Sequence, residues 1–403
     1  MKNKALSTPT EEKTPPAPTI ESKAAFSARS LRGLFRPSVV VGVLYIALIG
    51  LVAATKHYSA FDFVHMGTVW GAHDPSGTWG YDGQFYYQLA RNPLQAYHYM
   101  DNAPFRYQHI LYPMVVGLLS LGQTTLIPYM LLLVNVLSVV LSVEMLSRVL
   151  VKYEFSPWFS LAIGLYFGQA AATLFDTAEP FTYFLVCLGV WILLEKDRVG
   201  LAALMMGLAT LAREIAVLFP LGYVCVFFVQ RKWRAFAEMV LLGVAPLIIW
   251  LIALRLIFGQ TGVTFTRPFE HIPFAGIFAH ADAPKKFYLL LLLMFLPTLA
   301  GWVLAAVDLF RKVIAGQGPF LQRFSPMYLI LLANLLMITL MSRSSYDELI
   351  SSGRIATGLV LAVLFYGIGT RNKWVLWGAQ FYTFTFLVYV VGTLLGWPSF
   401  IAS

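Results

Sequence analysis

Long apolar runs separated by short polar segments dominate the chain from Val39 onward. The first run, Val39 to Ala54, predicts a membrane span that is retained in the mature chain. Several later runs are shorter than the ~20 residues with which a helix crosses a bilayer, so we expect some helices to be tilted or only partly embedded. The predicted later spans are 126–149, 157–174, 180–194, 199–213, 214–230, 236–257, 287–309, 326–341, 355–370 and 374–395.

The apolar segment 109–122, which begins Gln108-His109-Ile110-Leu111-Tyr112-Pro113, is too short to cross a bilayer comfortably. It predicts a re-entrant or interfacial helix that enters and leaves on one face. With this segment set aside, the pattern predicts about eleven spans, an inner N-terminus and an outer C-terminus.

Composition agrees with this pattern. The 403 residues are 58% hydrophobic and only 12% charged, whereas a soluble domain carries about 25% charged residues. The net charge of +9 comes from short basic clusters between apolar runs. By the positive-inside rule these clusters mark the cytoplasmic face, so we expect no nucleic-acid partner. The fold class predicted is an all-α polytopic membrane protein.

The chain divides into a tail and one membrane domain. Residues 1–36 are rich in Pro, Lys and Glu and cannot build a core, so they predict a disordered cytoplasmic tail. Residues 37–403 form a single transmembrane domain, with a long polar outer loop at 56–107. The outer face should also receive the turns at 176–180 and 213–214 and the loops 259–286 and 342–354.

The loop Gly80-Tyr81-Asp82-Gly83-Gln84-Phe85-Tyr86 places a carboxylate between two glycines, followed by aromatic residues. Glycine allows tight turning and close approach of a substrate. The aromatic run predicts a short interfacial helix. Asp82 is therefore a candidate catalytic carboxylate, with Tyr81, Gln84 and Tyr86 as substrate contacts. The alternative is that Asp82 caps the helix.

Other ionisable residues occur at the predicted outer ends of spans. Arg106 and His109 precede the re-entrant segment, and Arg106 suits a lipid phosphate or an ordinary headgroup. Asp176 and Glu179 flank a turn, where they bind a substrate or cap the next helix. Arg213 and Glu214 join two spans as an ion pair or as part of a buried site, and Glu179 is an alternative partner of Arg213. Arg354 meets a phosphate or anchors its helix.

Metal and thiol chemistry are not expected. His57, His65, His73, His98 and His109 have spacings that match no zinc template, and Cys187 and Cys225 both lie in apolar runs. We therefore predict no metal and no cofactor.

The order of these motifs resembles the GT-C superfamily of integral-membrane glycosyltransferases. The resemblance rests on Asp82-Gly83 with its aromatic run, on Leu111-Tyr112-Pro113, on Thr177-Ala178-Glu179-Pro180 and on the helix that ends Ala212-Arg213. It covers roughly residues 40–230 and is closest to the branch that holds the second mannosyltransferase of GPI-anchor synthesis and its bacterial relatives. The chain departs from that pattern at Tyr81, at His109-Ile110 and at Glu214.

The resemblance implies transfer of a sugar from a polyprenyl-phosphate donor to a glycan or lipid acceptor, in cell-surface glycopolymer assembly. It implies a multi-pass protein of the bacterial inner membrane with an outward-facing site. Asp82 would be the general base, Arg106 and Arg354, with Arg213 behind them, would stabilise the leaving phosphate, and Glu179 or Asp176 would hold hydroxyls. Two alternatives remain: a transporter or flippase of lipid-linked glycans, and a non-catalytic membrane subunit of an assembly complex.

Overall fold

A computed structural model describes residues 36–262, 268–314 and 323–396. Apart from Arg36, the predicted tail lies outside these residues. All regular structure in the described part is helical. The main helices are α1 (Pro37–Lys56), α2 (Gly83–Arg91), α3 (Ala103–Tyr107), α4 (Leu111–Leu119), α5 (Ile127–Lys152), α6 (Phe167–Leu174), α7 (Glu179–Lys196), α8 (Val199–Ala212), α9 (Glu214–Val229), α10 (Trp233–Phe258), α11 (Pro284–Ile314), α12 (Pro326–Leu340), α13 (Leu349–Gly369) and α14 (Lys373–Leu394).

Short helical turns complete the chain between these helices. They lie at Ala60–Val64, Thr68–Gly71, Ala96–Tyr99, Pro157–Ser160, Leu161–Gly164, Ala275–Phe278 and Arg343–Tyr346. Helix α10 contains a π-helical stretch at Met239–Val244, and α11 contains another at Leu291–Phe295.

In the described part of the chain, six helices are long and apolar enough to cross a membrane: α1, α5, α10, α11, α13 and α14. Helices α8, α9 and α12 are apolar but shorter. The prediction of an all-helical polytopic membrane protein is therefore confirmed in this coarser form. The predicted number of about eleven spans remains a prediction.

The predicted span 157–174 is wrong as a single helix. It is broken into Pro157–Ser160, Leu161–Gly164 and α6, with Tyr166 in an extended conformation. Side chains satisfy the backbone groups that the break frees: the Tyr45 hydroxyl donates to the Gly164 carbonyl at 2.9 Å, and Phe167 N–H donates to Thr385 Oγ1 at 3.2 Å. Irregular backbone at this depth is tolerated because other helices surround it.

The short helix α4 lies within the segment 109–122, and the non-crossing path of that segment stays a prediction. Its nine residues extend only about 14 Å, less than half the thickness of a bilayer core. Its start lies beside Glu214 through His109. The chain after it, at Thr124 and Thr125, lines a pocket together with outer-loop residues Phe61 and Tyr87. Both ends of the segment are therefore close to loops that were assigned to one face.

Helix α13 lies at the centre of the bundle, and 89% of the residues in its most apolar stretch are buried. It packs against α6 and α12. A side chain on Gly168 of α6 would come within 2.2 Å of the Gly353 carbonyl oxygen, so the two helices touch through glycine backbone. Small residues permit such close approach of membrane helices. Arg354 is the next residue of α13, so this contact sets its position relative to α6.

Helix α13 begins six residues before the predicted span 355–370, at Leu349. Arg354 is therefore inside the helix and only 1% exposed, where the sequence predicted an outer-loop position. Within this added part of the helix, Ser352 Oγ donates to the Leu349 carbonyl at 3.0 Å.

Candidate functional site

The glycines on each side of Asp82 place it against the start of α7. Gly80 has a left-handed backbone with φ of 69°. A side chain on Gly83 would come within 2.6 Å of the Phe175 carbonyl oxygen. Helix α2 begins at Gly83 as predicted, but the Asp82 side chain makes no capping hydrogen bond to it. The capping alternative for Asp82 is therefore wrong.

Asp82 instead joins two arginines from distant parts of the chain. Arg106 Nη1 donates to its Oδ1 at 2.8 Å, and Arg354 Nη2 donates to its Oδ2 at 2.8 Å. The Asp82 side chain is 24% exposed, whereas that of Arg354 is 2% exposed. The carboxylate therefore contacts a buried positive charge on one side and is accessible to solvent on the other.

Glu179 links two of the arginines. Its Oε1 accepts from Arg354 Nε at 3.1 Å and from Arg354 Nη2 at 3.0 Å, and it lies 3.2 Å from Arg213 Nη2. Ala178, without a side-chain cap, occupies the capping position of α7, so the capping alternative for Glu179 and Asp176 is also wrong. The ends of α7, α8 and α13 are joined by this group of charges.

Asp101 completes the contacts of Arg106 and was missed by the sequence analysis. Its two oxygens receive Arg106 Nε at 2.8 Å and Arg106 Nη2 at 2.6 Å. Arg106 also lies over the Phe85 ring, 4.1 Å from its centroid. The sequence could have indicated Asp101, because it lies five residues before Arg106 and directly before Asn102, which caps α3.

His109 and Glu214 pair with each other, with 2.5 Å between His109 Nε2 and Glu214 Oε2. His109 is buried, and the Glu214 side chain is 31% exposed. Burial lowers the pKa of His109 in spite of the nearby Glu214 carboxylate, so the imidazole is neutral at neutral pH. The predicted pair of Arg213 with Glu214 is not formed, whereas the alternative partner of Arg213, Glu179, does lie 3.2 Å from it.

We call these residues the ion cluster: Asp82, Asp101, Arg106, His109, Glu179, Arg213, Glu214 and Arg354. Three guanidinium groups face four carboxylates. Burial alone would raise the pKa of Asp82, but the positive charges of Arg106 and Arg354 hold it well below its usual range. Asp82 is therefore ionised at neutral pH.

Asp176 is a neighbour of the cluster without belonging to its ion pairs. It is fully buried, has a left-handed backbone with φ of 50°, and its two oxygens have no hydrogen-bond partner among the described residues. Burial raises its pKa well above the usual value, which indicates a protonated, uncharged acid. Neither Asp176 nor Glu179 exposes an oxygen to a sugar hydroxyl.

The remaining predicted contacts support the cluster from within the protein. The Tyr81 ring lies 5.2 Å from the Arg354 guanidinium carbon. Tyr86 is buried and packs edge-on against Tyr112. The Gln84 amide accepts from Gly67 N–H at 3.1 Å and donates to the Trp79 carbonyl at 2.8 Å, so it holds the outer loop together.

Metal binding has no obvious location in the described ranges, where no group of three or more His, Cys, Asp or Glu side chains is arranged to hold an ion. Comparison with known proteins adds no assignment: no family model matches the chain, and no curated protein or solved structure matches it significantly. The chemistry of the cluster itself is therefore the basis for a function.

Proposed function

We propose that the protein transfers a sugar from a polyprenyl-phosphate donor to a hydroxyl of a glycan or lipid acceptor, at the ion cluster. The observation that carries the proposal is the convergence of Asp82, Arg106, Glu179, Arg213 and Arg354, which come from five separate segments of the chain. Holding so many charges at the end of an apolar bundle is costly, and such groups in membrane proteins usually serve function.

The arginines suit the phosphate of such a donor. Guanidinium groups bind phosphate oxygens in a bidentate way and stabilise the charge that grows as the phosphate leaves. Nη1 of Arg354 is buried and has no hydrogen-bond partner among the described residues. Buried donors are nearly always satisfied in native proteins, so this N–H group is available to an incoming oxygen beside Asp82.

Asp82 is the base that the sequence predicts. A positioned carboxylate helps a hydroxyl to attack by about 10²–10⁴-fold. Both Asp82 oxygens lie on guanidinium groups in the structure, so this role requires Arg106 and Arg354 to move onto the donor phosphate. Once the two arginines had moved to the donor phosphate, the pKa of Asp82 would rise. Asp82 would then become a stronger base only when the donor is bound.

The position of the cluster favours an enzyme over a transporter. A transporter of lipid-linked glycans needs ionisable groups near the bilayer midplane. Glu179 and Glu214 begin their helices, and Arg213 follows the last residue of α8. A site at one end of the bundle fits a reaction at the membrane surface, which we assign to the outer face of the bacterial inner membrane.

Incubation of the purified protein with synthetic polyprenyl-phosphate hexoses tests this proposal. We expect one hexose to be transferred, with release of free polyprenyl phosphate. The absence of transfer and of release with every donor and acceptor supplied would contradict it.

A further inference from the structure

Glu214 differs from the other carboxylates of the ion cluster in what it touches. Both oxygens of Asp82 and both oxygens of Asp101 accept from arginines, and Glu179 lies between two arginines. Within the described part of the chain, Glu214 forms its ion pair with His109 and with no arginine. Glu214 is therefore the cluster carboxylate that forms no ion pair with an arginine in the described part of the chain.

Glu214 is also the most accessible of the four. Its side chain is 31% exposed, compared with 24% for Asp82, 21% for Asp101 and 2% for Glu179. A base must come within hydrogen-bond reach of the proton that it removes. An acceptor hydroxyl can reach Glu214 without displacing an existing ion pair, whereas Asp82 first has to lose its arginines.

We propose that Glu214, held by His109, takes the proton of the acceptor hydroxyl. This inference rests on the proposed function. It assigns the role of general base to Glu214, where the sequence analysis assigned that role to Asp82. Asp82 would then hold Arg106 and Arg354 in place for the donor phosphate.

The proposed step is balanced in atoms and charge. The acceptor oxygen forms a bond to the sugar C1 while the bond between C1 and the donor phosphate oxygen breaks, and the electron pair leaves with the lipid phosphate. The hydroxyl proton goes to a Glu214 oxygen and from there to solvent. The neutral imidazole donates from Nε2 to the ionised carboxylate and fixes its orientation, as a second group does for the base of a catalytic triad.

Two arginines lie near the His109–Glu214 pair. Arg213 precedes Glu214 in the chain and faces both members of the pair, and Arg106 faces His109. Burial lowers the pKa of His109, and Arg213 and Arg106 lower it further. In spite of burial, His109 and Arg213 hold the pKa of Glu214 well below its usual value, so its carboxylate is ionised. Because Arg213 also contacts Glu179, which contacts Arg354, Glu214 is connected to the arginines proposed to bind phosphate.

The test compares Glu214→Gln with Asp82→Asn in the transfer assay, using the full-length purified protein and synthetic polyprenyl-phosphate hexoses. We expect Glu214→Gln to lower kcat by about 10²–10³-fold with little change in the donor KM. Asp82→Asn should act mainly on the donor KM. Glu238→Gln is the matched control, because Glu238 forms an ordinary helix-surface pair with Arg234 and should leave kcat unchanged.

His109→Phe provides a second readout if Glu214→Gln folds poorly. The substitution keeps an aromatic ring next to Phe105 and Tyr86 but removes the donated hydrogen bond. We expect the acidic limb of kcat to move about one pH unit higher, because the carboxylate loses a group that stabilises its charged form. A kcat within about threefold of wild type in Glu214→Gln, or an unmoved limb in His109→Phe, would overturn this inference while leaving the proposed function intact. Inactive wild-type protein would overturn both.

Discussion

Asp82 and Arg354 are 272 residues apart in the sequence, yet Arg354 Nη2 donates to Asp82 Oδ2 at 2.8 Å. One residue belongs to the first polar loop and the other to α13, the most buried of the six long apolar helices. Their pair connects the accessible loop to a buried side chain. The ion cluster is therefore part of the fold and not a feature of one flexible loop.

Glu179 should be the carboxylate whose loss costs most stability. Glu179→Gln leaves Arg354 and Arg213 close together without the charge between them. Breaking a buried ion pair from one side costs about 3–5 kcal/mol, so we expect a large fall in the melting temperature in detergent. The control Glu238→Gln disrupts an i,i+4 surface pair worth about 0.3–0.5 kcal/mol. Equal melting temperatures for the two variants would show that the cluster is not a structural support.

The contact between α6 and α13 should control the position of Arg354. Gly168→Ala would place a methyl group within 2.2 Å of the Gly353 carbonyl oxygen, so one helix must shift. We expect lower thermal stability and weaker binding of decaprenyl phosphate, measured by fluorescence in nanodiscs. Gly50→Ala is the control, since its methyl group would meet nothing within 4 Å. Unchanged binding in Gly168→Ala would mean that the position of Arg354 relative to α6 does not affect phosphate binding.

Asp176 should respond to pH as a buried neutral acid. Its pKa is raised by burial, so folding disfavours its ionisation, and the wild type loses stability as pH rises above the usual pKa of ~3.9. Asp176→Asn keeps the shape without that penalty. We expect the variant to melt at a higher temperature than wild type at pH 8, with the difference vanishing near pH 4. A variant that is less stable at pH 8 would show that the Asp176 carboxylate is charged and paired.

Arg354 should not be replaceable by lysine. A lysine keeps the charge but loses the planar group that contacts Glu179 through Nε and Nη2 and Asp82 through Nη2. Hydrogen bonds to charged groups contribute about 1.5–3 kcal/mol each, so we expect decaprenyl phosphate to bind about 10–100-fold more weakly to Arg354→Lys. Arg148→Lys, at a surface pair with Glu144, should bind as wild type does. Equal affinities would remove Arg354 from the phosphate site.

The sequence predicted the helices well because their apolar runs are long and their ends carry clear signals. Pro37, Pro128, Pro180 and Pro326 lie in the first turns of helices, where proline is tolerated. The break at Gly164–Tyr166 could not be predicted, because it depends on Tyr45 and Thr385, which lie far away in sequence and satisfy the freed backbone.

Among the pairs of the ion cluster, the sequence predicted that of Glu179 with Arg213 but not the others. Asp82 was selected from the glycines and aromatic residues around it, and Glu179, Arg213 and Arg354 from their location at the predicted outer ends of spans. The pairing of His109 with Glu214 spans 105 residues and has no local signal. Gln84 and Asp176 share the polarity of the site residues, and only their burial shows that they face the interior.

Transfer from a labelled lipid donor tests the central claim most directly. Membranes from cells that lack this chain should contain the unmodified acceptor, and they can be incubated with the purified protein and a panel of radiolabelled polyprenyl-phosphate hexoses. The account predicts that one hexose becomes attached to a membrane acceptor while free polyprenyl phosphate appears, and that Arg354→Lys reduces both. No incorporation and no release from any donor, with protein that still binds decaprenyl phosphate, would contradict it.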